Sequence, residues 1–194
     1  MRNIYVLRHG QTDFNIEGRL QGGLDTPLNA TGIQQARDVI TSLLPLNIDS
    51  IYSSPLTRAL DTSKIINTEL NAPNGIICAD FLKEITRGAY DGLLSSEVEA
   101  IQPKVLSNAF EDFFERPPQG ESLGDVYLRV AAALPSVLKN PHWNNLLMVT
   151  HGITIRAINL FFSSQGSLSV PDDLNPFFDL KIGNCSLFTY TVED

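Results

Sequence analysis

The sequence predicts an α/β fold: a three-layer αβα sandwich with a largely parallel sheet and a small helical cap inserted near residues 85–140. Two observations carry this expectation. Short apolar runs rich in β-formers alternate along the chain with segments of helical periodicity, the pattern of a parallel sheet covered by helices. Between about residues 85 and 140 that alternation stops, and only helical pieces and loops can be read, which marks an insertion. At 194 residues, 43% of them hydrophobic, the chain suits one domain over 1–194 carrying that insertion better than two full domains.

Taken in order, residues 3–7 form a buried first strand that empties at Arg8-His9-Gly10 into a loop, 10–29, rich in Gly, Asn, Asp and Gln. A structureless loop of that length is usually functional. From Thr31 to Leu44 the residues Ile33, Ala36, Ile40, Leu43 and Leu44 recur at helical spacing, and Pro45 stops the pattern. A second strand covers 48–53. Ser54-Pro55 then offers a capping hydroxyl followed by a proline where no amide hydrogen is needed, opening a helix to about Leu70. Residues 76–79 read as a third short strand, and Ser122 with Asp125 resembles a capping box before a long helix toward Lys139. Another apolar strand spans 146–150, followed by His151-Gly152 and an amphipathic helix from Ile153 to Phe162. Two late strands, about 179–182 and 186–192, close the chain.

Composition narrows the function. Fourteen Lys and Arg against 22 Asp and Glu leave a net charge of −8, which argues against broad binding to nucleic acid or an anionic membrane. An anionic partner must therefore be held locally. Cys78 and Cys185 are too few for a disulfide scaffold and lack a C-x-x-C spacing, so both are expected as buried reduced thiols. Four apolar residues precede the first internal charge at Arg8, too few for a signal peptide core, and no apolar run reaches the length of a membrane span. A cytoplasmic protein is the expectation.

Two places share one local grammar, an apolar strand ending in His-Gly: Val6-Leu7-Arg8-His9-Gly10 and Met148-Val149-Thr150-His151-Gly152. Ligands of such sheets sit at the carboxyl ends of strands, so both histidines are expected on one rim. The glycine after each suggests a tight turn or a close backbone approach to a ligand. His142, in Asn140-Pro141-His142-Trp143, lacks this setting and reads as a surface loop residue.

Here the residues carry a resemblance. Leu7-Arg8-His9-Gly10-Gln11-Thr12-Asp13-Phe14-Asn15 resembles the signature of the histidine phosphatase superfamily, which includes cofactor-dependent phosphoglycerate mutases. Arg19 through Asn29, with Gly32 and Gln35-Ala36, is similar to the loop and helix on that family's phosphate side. Ser53-Ser54-Pro55-Leu56-Thr57-Arg58-Ala59 resembles its second arginine motif, Leu82-Lys83-Glu84 its acid motif, and Gly120-Glu121-Ser122 a segment of its phosphatase branch. The resemblance runs from residue 4 to about 157, and it implies a phosphoglycerate mutase-like fold.

It also implies roles that physical chemistry makes intelligible. Phosphoryl transfer is mostly positioning and charge stabilisation, and arginine supplies a permanent, planar, multi-donor cation. Arg8 and Arg58 are expected to clamp the non-reacting oxygens, helped by the amino end of the helix at Pro55. The resemblance makes His9 the nucleophile, forming a phosphohistidine. His151 would contact a transferring oxygen as a donor, in a neutral or protonated form, and Glu84 would give a proton to the leaving alkoxide and then act as base toward water. Asn15, Gln21, Gly22 and Gly152 would bind the substrate. Asp25 reads as a structural turn residue, Arg19 fits an ion pair as well as a ligand, and Glu121 and Ser122 fit a pocket rim or a plain helix cap.

Other phosphate chemistries find no support: the sequence has no G-x-x-x-x-G-K-[ST] loop, no H-E-x-x-H, no G-x-S-x-G, and Glu84 stands six residues beyond Cys78 where a thiol phosphatase would want an arginine. No metal and no cofactor are expected. Only 67 positions separate Glu84 from His151, a modest cap, and Ile153 follows the second His-Gly where mutases usually carry asparagine. Both departures favour hydrolysis of a small phosphorylated metabolite over mutase-type transfer or non-catalytic binding. Arg87 stands where relatives often carry an aromatic, and either recognises a second acidic group or points into water.

Overall fold

Period-2 alternation in the two central strands generates the three layers of this computed structural model, which describes residues 1–107 and 110–192. Five strands, β1 (Arg2–Arg8), β2 (Ser50–Ser53), β3 (Ile76–Cys78), β4 (Asn145–Thr150) and β5 (Leu187–Val192), form one sheet in the order β3-β2-β4-β1-β5. All pairs are parallel except β1 with β5. Ile4, Val6, Leu146 and Met148 point to one face, and Tyr5, Leu7, Leu147 and Val149 to the other.

The helices are α1 (Asp13–Glu17), α2 (Ala30–Asp38), α3 (Ile40–Leu43), α4 (Thr57–Leu70), α5 (Ser95–Ile101), α6 (Leu123–Lys139), α7 (Gly152–Ser163) and α8 (Asn175–Phe178). The first face of the sheet is covered by α6 and α7 through Val126, Val130, Leu134, Ile155 and Ile158. The second is covered by α3 and α4 through Ile40, Leu43, Ala59 and Ile66. Strands buried on both faces read as continuous apolar runs, which is why 3–7 and 146–150 are conspicuous in the sequence.

Several expectations shift. The long helix α6 packs on the sheet, so the part standing off the sandwich ends near Ser122 rather than near residue 140. That part has a small core of its own, Tyr90, Val98 and Val105, joined by Leu20 from the loop after β1. The continuous helical pattern of 31–44 divides into α2 and α3 at Val39, where the β-branched run Val39-Ile40-Thr41 weakens the helix, and Pro45 sits inside a 3₁₀ turn rather than stopping the chain dead. The loop 10–29 is not wholly structureless: Thr12 and Asn15 form a capping box that nucleates α1.

Residues 179–182 are not a strand. Asn175-Pro176 starts the short α8, Arg156 donates to the carbonyls of Phe177 and Phe178 just before the segment, and within it Arg8 donates to the Ile182 carbonyl at 3.1 Å, so that carbonyl serves a side chain instead of a ladder. Cys78 is exposed at the end of the edge strand β3, against the expectation of burial, while Cys185 is half-buried. Burial pushes the Cys185 thiol up to about 12. His142 is exposed, as a surface loop residue should be, and the Ser122–Asp125 capping box is present. Among the described residues, no helix is long and apolar enough to cross a membrane.

Candidate active site

Register alone brings the two histidines together. Arg8 pairs with Thr150 across β1 and β4, so His9 and His151 are the next residues beyond matched carboxyl ends, and the His9 amide donates to the Thr150 carbonyl at 3.0 Å. Their ring centroids lie 5.1 Å apart, tilted by 56°. Both rings are buried.

The rings are held by opposite nitrogens. His9 Nδ1 lies 2.6 Å from the Gly10 carbonyl oxygen, which can only accept, so Nδ1 carries the proton and Nε2 keeps its lone pair. His151 Nε2 lies 2.7 Å from Ser54 Oγ, and its Nδ1 has no partner. Ser54 Oγ accepts from the Leu56 amide at 3.3 Å and can either donate to His151 Nε2 or accept from it, so this bond anchors the ring and leaves Nδ1 as its unpartnered nitrogen among the described residues. Burial, followed by repulsion from Arg58 and other cations, holds both imidazoles well below their ordinary range, so both are neutral.

The glycine after His9 answers a packing demand. A Cβ there would lie 2.4 Å from the Gly32 carbonyl oxygen, so Gly10 lets β1 run against α2 rather than against a ligand. Gly22 is required on two counts: its φ is +48°, and a Cβ would lie 1.7 Å from Asp91 Oδ1.

In front of His9 lies a cavity of about 220 Å³ lined by Arg8, Asn15, Arg19, Gln21, Gly22, Arg58, Glu84, Arg87 and Ile153, among others. Four arginines face one carboxylate there, within a chain of net charge −8. Arg58 is wholly buried, and its guanidinium donates to the carbonyls of Leu24 at 2.7 Å and Gly22 at 2.9 Å, holding the loop that edges the cavity. Burial lowers Arg58 to about 10, still charged at neutral pH, and lowers Arg8 as well. Of the five buried side-chain polar atoms without a partner among the described residues, three are Arg8 Nε, Arg58 Nε and His151 Nδ1. Unpartnered buried polar atoms are rare; Arg8 and Arg58 line this cavity and the His151 ring lies 5.1 Å from that of His9 beside it, a concentration that suits an anion.

The remaining expected residues fall at or beside the cavity. Asn15 and Gln21 commit their side-chain oxygens to the Thr12 hydroxyl and its neighbours, leaving their amide groups toward the cavity. Glu84 Oε2 accepts from the Ile153 amide at 3.3 Å at the amino end of α7, and Oε1 from the Ile85 amide at 3.0 Å. Gly152 is the first residue of α7 and does not line the cavity; Ile153 does. The amino end of α4 is not aimed at an anion either: Asp25 occupies it, accepting from the Thr57 amide at 2.6 Å and the Thr57 hydroxyl at 2.7 Å. Arg19 pairs with Glu17 and also reaches the cavity. Glu121 binds Arg129 and the Thr86 amide, on an adjoining cavity of about 450 Å³ that shares Glu84. Arg87 is buried, not in water.

Sequence reasoning missed the residues that hold these groups. The hydroxyls of Thr150 and Thr154 donate to the carbonyls of Leu82 and Lys83, both at 2.6 Å, and so pin the segment that carries Glu84. Asn184 Nδ2 donates to the His9 carbonyl at 3.1 Å and to Asn15 Oδ1 at 3.2 Å. Ser54 was legible as a hydroxyl before proline; the others bear no local signal, since Asn184 acts across 175 residues of sequence.

The family described as the histidine phosphatase superfamily, branch 1, matches residues 4–194. The chain belongs to that superfamily. It is 38% identical over 159 residues to a probable phosphoglycerate mutase of Enterobacter sp. (strain 638), covering 80% of this chain and 72% of that one. Among solved structures, a mycobacterial glucosyl-3-phosphoglycerate phosphatase complexed with VO₃ superposes with a TM-score of 0.84 at 30% identity, over 97% of this chain and 90% of that one. A phosphoserine phosphatase variant from Entamoeba histolytica, in complex with phosphoserine, superposes at 0.80 with 28% identity, over 98% and 91%. Superfamily members thus bear phosphatase and mutase names, and structural neighbours of this chain bind phosphorylated small molecules.

Proposed function

We propose that this protein is a phosphomonoesterase that hydrolyses a small phosphorylated metabolite through a phosphohistidine on His9, without a metal ion. The observation that carries the reading is the protonation geometry of His9: the Gly10 carbonyl holds the proton on Nδ1, and burial keeps the ring neutral, so Nε2 is an uncharged nucleophile at the edge of a cationic cavity.

In the first step Nε2 attacks phosphorus, the bond to the leaving oxygen breaks, and Glu84 delivers a proton to that oxygen. Arg8 and Arg58 neutralise the non-reacting oxygens through donors that have no other partner, and His151 Nδ1–H adds a neutral donor. In the second step Glu84 takes a proton from water, the water oxygen attacks phosphorus, and the P–N bond breaks to release inorganic phosphate and restore neutral His9. Asn15, Gln21 and Gly22 edge the phosphate site, while Gly152 acts only by starting the helix whose next amide holds Glu84. Hydrolysis rather than transfer is supported by the apolar Ile153 on the cavity wall and by the modest cap.

The decisive experiment is an alkaline quench during turnover of labelled substrate, because phosphohistidine survives base. Label is expected on the peptide containing His9, and turnover is expected to persist in excess chelator. Label on any other residue, or activity abolished by chelator and restored by a divalent ion, overturns the reading.

A further inference from the structure

Arg87 is 7% exposed and lines the same cavity as Arg8, His9 and Arg58. One guanidinium nitrogen donates to the Val105 carbonyl at 2.7 Å. Its other nitrogens have no protein partner among the described residues, and no carboxylate touches them: Glu84 and Asp91 favour its charge from a distance, and Asp91 accepts from the amides of Gly23 and Arg87 and from the Thr86 hydroxyl. A buried cation with no carboxylate in contact is costly, and burial lowers Arg87 from its ordinary value against the pull of Glu84 and Asp91.

Charge accounting shows what is missing. A phosphoryl dianion balances Arg8 and Arg58. Glu84 is the one acid on the cavity wall, and it must carry its proton to serve the leaving group. In that state Asp91 is left as the facing charge, and no carboxylate touches the Arg87 guanidinium. We propose that Arg87 is a specificity-determining residue that recognises a carboxylate carried by the substrate beside its phosphoryl ester. A carboxylate fits because Nε and the free Nη of one guanidinium present two parallel N–H bonds. The inference rests on the phosphomonoesterase reading above and narrows its substrate class to phosphorylated carboxylic acids.

The test uses two matched pairs that differ at the carboxylate, O-phosphoserine with phosphoethanolamine and 3-phosphoglycerate with glycerol 3-phosphate, plus p-nitrophenyl phosphate as a reporter of the chemistry. The wild-type protein is expected to favour the acid in at least one pair by tens-fold in kcat/KM. Arg87→Met should reduce that ratio about ten- to a hundredfold, mostly through KM, and Arg87→Lys should retain part of it. If Arg87 merely tethers Val105, Arg87→Met will alter both members of a pair alike and leave the ratio where it was; that outcome overturns the proposal. So does a wild-type protein that turns over p-nitrophenyl phosphate yet shows no preference in either pair, a result independent of how the variants fold. If none of the five esters is turned over and none labels His9, the hydrolase reading itself falls, and this one with it.

Discussion

His9 and His151 end neighbouring parallel strands at the same register, yet one ring is anchored through Nδ1 to a carbonyl and the other through Nε2 to a hydroxyl. The carbonyl can only accept, so it fixes the tautomer of His9 and exposes a lone pair. The hydroxyl can donate or accept, so it anchors His151 through Nε2 and leaves Nδ1 without a partner among the described residues, as an N–H in the tautomer that takes the Ser54 hydrogen. The two buried, neutral rings thereby present different nitrogens, Nε2 of His9 and Nδ1 of His151, and the proposed division into attacking base and donor rests on that difference. Anchoring atoms, more than residue type, set what an imidazole does.

The sharpest way to break that division is to remove each ring. His9→Ala should lower kcat by about 10⁴-fold or more and abolish the base-stable phosphoenzyme. Glu84→Gln should come next, slowing alkyl phosphates about 10²–10⁴-fold and activated aryl phosphates far less; equal losses on both would remove Glu84 from proton transfer. His151→Ala should cost about 10²–10³-fold, the scale of a lost transition-state donor, while still labelling His9. If His151→Ala abolished the phosphoenzyme and His9→Ala did not, the division would be reversed.

Smaller effects sharpen it. Ser54→Ala removes the anchor of His151 and should reduce kcat about five- to tenfold with little change in label on His9. Acidity should act on both rings alike. Because the folded rings are held well below the ordinary value while the unfolded chain takes up protons below about pH 6.5, the unfolded state binds more protons, and stability falls as pH drops from 7 toward 5. The two rings together can contribute a slope of at most about 2.7 kcal/mol per pH unit. Denaturant titrations at several pH values check this, and replacing both histidines by asparagine should flatten the slope.

Much of this was legible along the chain. Apolar runs at 3–7 and 146–150 announce strands buried on both faces, and a shared His-Gly ending puts two imidazoles on one rim, because a parallel register turns matching sequence positions into neighbours in space. Arg8, Arg58 and Glu84 could be named from their motifs. Elements whose conformation depends on remote partners were not legible: the segment 179–182 gives the Ile182 carbonyl to Arg8 and forms no strand, and α6 joins the sandwich because Val126, Val130 and Leu134 find Ile4 and Met148.

Local sequence, then, determined the αβα layering, the rim and the chemistry-bearing residue types, since periodicity and strand-end placement are short-range properties. Only the tertiary structure decided which nitrogen of each histidine is free, why the Asp25 carboxylate rather than a ligand meets α4, and that Arg87 lies buried with no carboxylate in contact. The Ser54–His151 and Asp25–Thr57 contacts join groups 97 and 32 residues apart, and no local pattern encodes such a contact.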